Sequence, residues 1–429
     1  MKTGDVDSYS HVCYGCLGDE YLRNSVRQNG TRTRCYFCFA RRKCITIDEL
    51  SGLVKKVLNE NFKPGESWPF YDDDDRFSHY HQDGEELSYI IGEVIEADEP
   101  VVEAVIDNLS FVSYSDAKDG VESRYNREIN YVSTRPQSYE LDWEWDRFRH
   151  EIKHQGRFFN DKAKEFLNRL MHEVHFLHVP DEPGETVIHS IEPNDSTVLY
   201  RARRIDSPED LGRILSAFCE ELGPPPPERA IAGRMNPEGV SVFYGALDRA
   251  TCVAELRPSL GSNVVSIAFC LKRSIRVFDF KFLEKSYHKK PLSYFQPDFR
   301  EKVAHRLFLH RLHAKIREPI LPGEEREYLA TQVLAEYLAT VLTPQVDGIL
   351  FSSVQLEGGV NIVLFGHALD IQTEIDRTSI MGPNSVLVAV DDSVRVHRIS
   401  RIEYSFDDRA VKDGEVEGSY LDGIAGEED

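Results

Sequence analysis

The sequence lacks the two glycine-rich motifs with which the commonest nucleotide-binding folds hold phosphate. No strand-like segment is followed by Gly-x-Gly-x-x-Gly, and Gly-x-x-x-x-Gly-Lys-Ser/Thr does not occur. These absences exclude a dinucleotide fingerprint of the Rossmann kind and a P-loop. If the chain binds a nucleotide, a different fold must hold it.

Long apolar runs and an excess of positive charge are also missing. No run approaches the roughly 20 residues that a membrane span needs, and the polar start MKTGDVDSYSH does not read as a signal peptide. Lys and Arg number 51 against 73 Asp and Glu, which gives a net charge of −22. This balance argues against broad polyanion binding, so a phosphate-bearing ligand must be held by locally concentrated basic residues. We expect a soluble cytoplasmic protein with no membrane partner.

Cysteine is sparse beyond the N-terminus: five of the eight cysteines lie within the first 44 residues. This distribution does not resemble a secreted disulfide framework. The pairs Cys13-x-x-Cys16 and Cys35-x-x-Cys38 have the spacing that lets four thiolates close tetrahedrally on Zn²⁺. The pattern predicts a zinc ribbon over residues 8–46, in which metal binding contributes about 10 kcal/mol to folding.

Basic residues cluster around the second cysteine pair, although the chain as a whole is acidic. They are Arg32, Arg34, Arg41, Arg42 and Lys43. Such a patch fits a nucleic acid or an acidic partner. It is also typical of a solvated ribbon surface, and the sequence alone leaves both interpretations open.

Apolar residues recur at helical spacing from residue 47 to residue 180, in ITIDELSGLVKKVLNENF, LSYIIGEVIEADEPVVEAVIDNLSFV and YELDWEWDRFRHEIKHQGRFFNDKAKEFLNRLMHEV. We predict an all-α domain over 47–180, ended by the loop HVPDEPGETVIH. Arg149 and His154 match the Arg-x4-His pattern of helical ribonucleases of the HEPN type. A pair of this kind is more often solvated or packed, and the acidic run Asp72–Asp75 would repel an RNA backbone.

Strand-like and helical segments alternate after residue 190. VSVFYG, NVVSIAFCL, DGILFS and VNIVLFG are rich in Val, Ile and aromatic residues, whereas SPEDLGRILSAFCEEL and EREYLATQVLAEYLATVL have helical periodicity. This alternation predicts a mixed α+β domain over residues 190–405. The acidic, Gly-rich residues 406–429 are expected to form a disordered tail.

Polar side chains at the ends of these elements form a candidate site. Arg201 lies at the end of the strand STVLY and Arg234 lies in the turn AGRMNPEG, where a guanidinium can clamp phosphate oxygens. Tyr244 ends VSVFYG, and its ring can stack on a heteroaromatic base or cap the core. Glu255 follows the apolar stretch TCVA, where an acid is costly to desolvate unless it is paired or functional.

A serine pair and an asparagine lie later in the chain. DGILFSSVQLEGGVNIVLFG places Ser352 and Ser353 at the end of a buried strand and Asn361 where the chain re-enters the sheet. No histidine of this local motif is positioned to act as a base. We therefore expect a hydrogen-bonding serine rather than a nucleophile.

Four segments taken together resemble the RES-domain family, which is named for its Arg, Glu and Ser. They are LYRAR, GRMNPEGVSVFYGALDRATCVAEL, YLATQVLAEYLA and DGILFSSVQLEGGVNIVLFG, and the resemblance covers about residues 190–400. The preceding ribbon and helices resemble the HEPN-related N-terminal extension of some RES domains. The resemblance implies a fold like that of ADP-ribosyltransferases and consumption of NAD by a toxin, with an antitoxin or immunity protein as its partner.

Position by position, the resemblance implies roles in NAD binding and cleavage. Arg201 and Arg234 would hold the pyrophosphate, and Tyr244 would stack near the nicotinamide end. Glu255 would bond the nicotinamide ribose, and Ser353 would orient a ribose or the amide. Asn361 is included among the NAD-binding residues, and Zn²⁺ would be structural.

The sequence departs from the family pattern at two positions. Ser352-Ser353 stands where a Pro-Ser pair is common, so the choice of Ser353 is an alignment judgement, and Met235 replaces the usual aromatic residue. The acceptor of the ADP-ribosyl group also stays open between water, phosphate and a macromolecule. From a different class, the chain could be a non-enzymatic adaptor whose zinc ribbon binds a partner.

Overall fold

The structure, a computed structural model, divides the chain into two compact units. It describes residues 9–71, 77–110, 125, 127–134, 139–157, 159–179, 186–194, 197–287, 292–318, 320, 324–370, 384–403, 411–412 and 415–416. Unit 1 comprises Met1–Val187 with Phe280–Glu318, and unit 2 comprises Ile188–Asp279 with Pro319–Asp429. The sequence predicts an uninterrupted domain over 190–405, whereas residues 280–318 group with unit 1.

Unit 1 begins with a small antiparallel sheet and one helix. The strands lie in the order His11–Cys13, Arg41–Thr46, Thr31–Arg34, and the helix is Glu20–Asn29. The carboxylate of Asp19 caps this helix by accepting a hydrogen bond from the Leu22 N–H at 2.7 Å. Ser293 donates a second hydrogen bond to the same oxygen at 2.9 Å, so the buried carboxylate is well satisfied.

The remainder of unit 1 is predominantly helical, as the periodicity predicts. Its helices are Ile47–Asn61, Leu87–Ile95, Glu99–Ser110, Tyr139–His154, Asp161–Met171, Phe280–Lys285 and Phe299–Arg317. Helix Ile47–Asn61 begins with a capping box, in which the Glu49 N–H donates to Thr46 Oγ1 at 3.1 Å and the Thr46 N–H donates to Glu49 Oε2 at 2.8 Å. These two bonds satisfy donors that a helix N-terminus otherwise leaves unpaired.

Short strands accompany these helices, and the all-α prediction does not include them. Phe62–Pro64, Asn130–Ser133 and Glu85–Glu86 form one sheet, and Ser67–Tyr71 pairs with Phe77–Gln82. Each strand has at most six residues, which is too short for periodicity to reveal. The acidic run at 72–75 and residues 180–185 of the boundary loop lie outside the described residues.

The ribbon and the first helices share one hydrophobic core. Val12, Leu22, Leu50, Ile91 and Ile106 are buried in the same cluster. Full burial of such a side chain contributes roughly 2 kcal/mol to the stability of the folded state. The ribbon is therefore stabilised by packing against the helices.

An aromatic cluster explains why residues 280–318 belong to unit 1. Trp145 lies 5.4 Å from Phe148 and 6.0 Å from Phe308, measured between ring centroids. Phe308 lies on helix Phe299–Arg317 and is fully buried. This helix therefore packs against Tyr139–His154, a contact that sequence periodicity does not reveal.

Within the described residues of unit 2, nine strands form one mixed sheet. Along the sheet they are Leu387–Ala389, Asn263–Leu271, Val198–Ile205, Phe243–Ala246, Val360–Leu364, Gly348–Ser352, Ile275–Asp279 and Ile188–Ile191, and Arg395–Arg398 also pairs with Asn263–Leu271. The pairing is antiparallel except between Ile275–Asp279 and Gly348–Ser352. Phe243 and Phe269 meet edge to face at 5.2 Å in the core.

Helices flank this sheet, and the mixed α+β fold class is confirmed. They are Pro208–Ser216, Phe218–Leu222, Arg249–Ala254, Leu329–Thr340 and Gly366–Leu369. In the tail that was expected to be disordered, Val411–Lys412 pairs with Glu415–Val416, and the other residues from 406 onwards lie outside the described part. No described helix is both long and apolar enough to span a bilayer.

Candidate active site and candidate metal centre

Three neighbouring strands of unit 2 place three of the predicted site residues. Arg201 lies on Val198–Ile205, Tyr244 on Phe243–Ala246 and Asn361 on Val360–Leu364. The middle strand pairs with both of the others. Residues that lie about 160 positions apart in sequence are thereby brought to adjacent strands.

Glu255 is placed by a short capped helix. The Asp248 carboxylate accepts from the Thr251 N–H at 2.8 Å and from the Thr251 hydroxyl at 2.5 Å, which fixes the start of helix Arg249–Ala254. Glu255 follows the last helical residue, and its N–H donates to the Thr251 carbonyl at 3.0 Å. The glutamate is therefore at the C-terminal cap of the helix rather than inside it.

Two buried side chains converge on one oxygen of Glu255. Ser353 Oγ donates to Glu255 Oε1 at 2.5 Å, and Asn361 Nδ2 donates to the same atom at 2.8 Å. Ser353 is 8% exposed and Asn361 is 5% exposed. No described residue donates to the second oxygen, Oε2. The structure thus joins Glu255, Ser353 and Asn361 into one cluster, which we call the Glu255 cluster.

The environment of Glu255 differs from the one that its apolar neighbours suggest. Cys252 and Thr251 are buried, whereas the Glu255 side chain is exposed. The sequence left a paired, functional or solvated glutamate open at this position, and the structure shows an exposed glutamate that is paired. Its geometry is held by the two hydrogen bonds of the Glu255 cluster.

The hydroxyl of Ser353 uses its full hydrogen-bonding capacity. It accepts from the Gln355 N–H at 3.0 Å and from the Leu356 N–H at 3.1 Å while it donates to Glu255. Because a hydroxyl has one donor and two acceptor positions, no lone pair is left for nucleophilic attack. Ser353, and not Ser352, is the serine that contacts the glutamate.

Tyr244 braces the turn that carries Arg234. Its hydroxyl donates to Asn236 Oδ1 at 2.9 Å and accepts from the Met235 N–H at 2.8 Å. Gly233 lies directly against this hydroxyl, since an added Cβ would come within 2.7 Å of it. The turn sequence Gly-Arg-Met-Asn is therefore shaped around the tyrosine.

Helix Leu329–Thr340 holds the same turn by two hydrogen bonds to its backbone. Thr331 Oγ1 donates to the Arg234 carbonyl at 2.7 Å, and Gln332 Nε2 donates to the Gly233 carbonyl at 2.8 Å. Both side chains are buried. Neither residue was predicted to belong to the site, although two polar residues in the apolar helix YLATQVLAEYLA were an available signal.

Arg201 has an unsatisfied buried nitrogen. Its Nη1 atom is buried and has no hydrogen-bond partner among the described residues, and its guanidinium carbon lies 5.5 Å from the Phe243 ring centroid. Burial, reinforced by the neighbouring Arg203, lowers the pKa of Arg201 to about 10. A buried donor without an acceptor costs about 1–3 kcal/mol, so this position favours an anionic ligand.

Arg234 and Tyr244 complete the electrostatics of the site. Burial lowers the pKa of Arg234, whereas the Tyr328, Tyr244 and Glu255 side chains oppose this effect. Its guanidinium carbon lies 5.2 Å from the Tyr328 ring centroid. Burial raises the pKa of Tyr244, which keeps its hydroxyl protonated, and this ring interacts electrostatically with both Arg201 and Arg234. Two cations and one carboxylate therefore share one region of unit 2.

The four cysteines of the ribbon form a candidate metal centre. Their sulfur atoms lie within 4.8 Å of one another, with separations of 3.8 Å for Cys13–Cys16, 3.5 Å for Cys13–Cys38 and 3.8 Å for Cys16–Cys35. Zn–S bonds of about 2.3 Å in a tetrahedron place sulfur atoms roughly 3.8 Å apart. Burial raises the pKa of Cys13 and of Cys16, so thiolates are disfavoured there unless a cation binds them.

Cys44 is not part of this group. Its thiol donates to the Arg42 carbonyl at 3.4 Å and to the Thr33 carbonyl at 3.7 Å. Burial raises its pKa to about 11. Cys44 therefore serves as a packed, protonated thiol.

The Arg-x4-His pair lies on helix Tyr139–His154. Arg149 is 3.7 Å from Asp146, and the His154 ring packs on His150 at 4.8 Å between centroids. A ribonuclease role for the pair stays a hypothesis. A cleft of about 970 Å³ lies nearby in unit 1, between this helix, Asp161–Met171 and Phe299–Arg317, and none of the predicted NAD-site residues lines it.

Comparison with known families assigns both parts of the chain. The family model of the RES domain matches residues 198–380, and that of HEPN/RES N-terminal domain 1 matches residues 28–166. No curated protein and no solved structure matches the chain significantly. The RES match includes all six predicted NAD-site residues and the helix that holds the Arg234 turn. Residues 198–380 therefore form a RES domain, a family whose members commonly act on NAD, and residues 28–166 before it match HEPN/RES N-terminal domain 1.

Proposed function

We propose that unit 2 is an NAD-consuming enzyme that cleaves the bond between nicotinamide and ribose. The observation that carries this proposal is the Glu255 cluster, in which Ser353 and Asn361 fix one carboxylate oxygen and the other has no donor among the described residues. A carboxylate held in this way is prepared to accept a hydroxyl hydrogen of a bound ribose. Its negative charge is positioned before the reaction begins.

The two arginines support a dinucleotide as the ligand. The NAD pyrophosphate carries two negative charges, and guanidinium groups bind phosphate oxygens with paired hydrogen bonds. Arg201 has a buried nitrogen for which the described part of the chain offers no acceptor, and Arg234 is half-buried. In a chain of net charge −22, such partly desolvated cations are a specific feature. We propose that they hold the pyrophosphate.

The proposed reaction uses the charge of Glu255. The bond between C1′ of the ribose and the nicotinamide nitrogen breaks, and its electron pair leaves with nicotinamide, which becomes neutral. Positive charge develops on the ribose as in glycoside hydrolysis, and a fixed carboxylate stabilises it. An acceptor oxygen then bonds to C1′ and releases a proton to solvent.

Ser353 and Tyr244 have supporting roles in this proposal. The saturated hydroxyl of Ser353 supports orientation of Glu255 rather than a covalent serine intermediate, so the acceptor attacks the ribose directly. The hydroxyl of Tyr244 orders the turn of Arg234. Its ring is proposed to stack at the nicotinamide end.

We propose further that Zn²⁺ is the ion of the ribbon and that the enzyme acts as a toxin or defence effector controlled by an antitoxin or immunity protein. The cysteines Cys13, Cys16, Cys35 and Cys38 have the separations of a tetrahedral thiolate site. They would hold the metal, which would stabilise the fold. No step of NAD cleavage is assigned to it.

Proton NMR of NAD incubated with the purified chain tests the proposal. Free nicotinamide should accumulate, and Glu255→Gln should lower its rate of release on the order of 100-fold or more. Glu209→Gln is the matched control, because Glu209 is an exposed acid of unit 2 at the start of helix Pro208–Ser216. Unchanged NAD in every arm, or equal loss of rate in the two variants, would contradict the proposed function.

Added phosphate and cell lysate distinguish the acceptors. Free ADP-ribose indicates a glycohydrolase, and a phosphate adduct of ADP-ribose indicates a phosphorylase. Label transferred from NAD to a protein or nucleic-acid band indicates the alternative, an ADP-ribosyltransferase acting on a macromolecule. Partner binding that survives Glu255→Gln, without any NAD turnover, indicates the adaptor alternative.

A further inference from the structure

Four basic side chains share one face of the N-terminal sheet. In the pairing of Thr31–Arg34 with Arg41–Thr46, Arg34 lies directly opposite Arg41, and Arg32 lies directly opposite Lys43. Opposite residues of an antiparallel pair project to the same side, with Cβ atoms about 5 Å apart. We call these four residues the basic face.

This arrangement has an electrostatic cost that the described residues do not offset. Like charges placed directly opposite each other destabilise a strand pair. Among the residues that the structure describes, no carboxylate forms an ion pair with any member of the basic face. Arg32, Arg34 and Arg41 are exposed. The face therefore presents to solvent a positive charge that no described carboxylate neutralises, in a chain whose net charge is −22.

Protection of a sheet edge is one use of the charges on the basic face. Charged residues on an edge strand prevent pairing with other chains, and Thr31–Arg34 is an edge strand. Arg41–Thr46 pairs with His11–Cys13 only from Cys44 onwards, so Arg41 and Lys43 also lie where one side of their strand is open. Edge protection requires charge alone, and it does not explain exposed aromatic rings beside these charges.

Exposed aromatic rings border the basic face. Phe39 lies in the loop between the two strands, is 65% exposed and has a left-handed φ of 60°. A bulky side chain in this conformation is strained, and such strain concentrates at functional positions. The Arg34 guanidinium lies 5.4 Å from the Phe39 ring centroid, and the neighbouring Tyr36 is 36% exposed. Flat apolar surface and positive charge are thus contiguous.

From this geometry we propose that the basic face and Phe39 bind single-stranded nucleic acid. Guanidinium groups neutralise the phosphate backbone, and exposed rings stack on unpaired bases, which is the combination that single-strand binding requires. An acidic peptide would use the charges but offers no flat base for the rings. A duplex keeps its bases stacked within the helix, so the rings would stay exposed.

The acidic remainder of the chain does not prevent this binding. Electrostatic interactions in solution are screened beyond about 8 Å at physiological ionic strength, so the local charge of the basic face determines the encounter. Binding is therefore expected to weaken steeply as salt is added. The proposal is independent of NAD turnover, because none of its residues belongs to the candidate active site.

Fluorescence anisotropy of the metal-loaded full chain with labelled oligonucleotides of about 16 nucleotides tests the proposal. Single-stranded RNA or DNA should bind, and the separate RNA and DNA arms identify the preferred backbone. The double variant Arg32→Ala with Arg34→Ala should weaken binding at least tenfold. It should also reduce the magnitude of the slope of log affinity against log salt by about 1.4. Phe39→Asn, which tolerates the left-handed backbone, should weaken binding roughly tenfold through lost stacking.

The matched control is Lys55→Ala with Lys56→Ala, which removes the same charge from an exposed part of helix Ile47–Asn61 in unit 1. It should bind like the unmodified chain. Metal content and circular dichroism confirm that each variant is folded. Equal weakening by the two double variants would overturn the proposal, as would tighter binding to a duplex. Competition by polyglutamate as effective as that by unlabelled single strand would also overturn it and would assign the face to an acidic protein.

Discussion

Ser353 donates its hydroxyl hydrogen to Glu255 at 2.5 Å while it accepts two backbone N–H groups of its own loop. The orientation of the carboxylate therefore depends on the fold of the loop that follows strand Gly348–Ser352. Asn361, which lies opposite Ala246 in the sheet, supplies the second bond. The short helix places the backbone of Glu255, and the sheet and its loop set the orientation of the carboxylate.

Replacement of Ser353 by alanine should reduce turnover without removing NAD binding. The lost hydrogen bond to a charged group is worth about 1.5–3 kcal/mol, so kcat should fall about 10- to 100-fold while KM for NAD stays nearly constant. Steady-state kinetics measure this split. Ser352→Ala is the control and should stay close to the unmodified rate. A larger loss with Ser352→Ala would mean that the other serine serves the site.

Tyr244→Phe separates the two roles of the tyrosine. The ring that is proposed to stack is retained, whereas the bonds to Met235 and Asn236 are lost. We expect KM for NAD to rise, because the Arg234 turn loosens, and the free energy of unfolding to fall by about 1–3 kcal/mol, because a buried N–H is left unpaired. Kinetics and chemical denaturation measure both effects. If neither changes, the hydroxyl does not order the turn.

Replacement of Arg201 by methionine should abolish NAD binding without lowering stability. The buried charge is costly, since burial lowers the Arg201 pKa to about 10. Because the folded-state pKa is depressed, this cost is fully present at neutral pH and is relieved only as the pH rises through about 10. The free energy of unfolding should therefore stay equal or increase by about 1–3 kcal/mol, while calorimetry detects no NAD binding.

Arg203→Met is the control for that experiment. The Arg203 guanidinium donates a hydrogen bond to Glu221 Oε2 at 2.5 Å. Loss of this bond should lower the free energy of unfolding slightly and leave NAD binding intact. The opposite pattern, in which Arg201→Met destabilises the chain and still binds NAD, would show that the guanidinium has a structural partner.

The candidate metal centre should hold one metal ion per chain, and Cys13→Ser should release it. Val12, which precedes this cysteine, lies in the core shared with the helices, so metal loss should lower the melting temperature of unit 1 broadly. Elemental analysis and thermal melting measure both effects. Since thiols must lose protons to bind metal and burial raises the pKa of Cys13 and Cys16, retention should decrease as the pH falls. Cys44→Ala should retain the metal.

The cysteine cluster could be predicted from short sequence motifs. The two Cys-x-x-Cys pairs suffice to predict a four-sulfur cluster, because each pair closes within one turn. The order of Arg201, Glu255 and Ser353 predicts one site, and the structure joins Glu255 to Ser353 directly, whereas their roles in NAD binding stay a prediction. The cysteine cluster could be predicted because each short motif determines its own geometry.

Contacts between distant segments were beyond sequence reasoning. The bonds from Thr331 and Gln332 to the Arg234 turn depend on how a helix docks, and periodicity does not encode docking. The sequence left the exposure of Glu255 open for the same reason, because neighbours in sequence need not be neighbours in space. Residues 280–318 likewise belong to unit 1. The packing of Phe308 on Trp145 is a contact that the sequence pattern does not show.

The junction at Thr46 has a mechanical consequence. Thr46 is both the last residue of strand Arg41–Thr46 and the capping residue of helix Ile47–Asn61, so the chain has no hinge between the ribbon and the helices. We therefore expect oxidation of the ribbon thiols to disturb the start of helix Ile47–Asn61 as well as the ribbon itself.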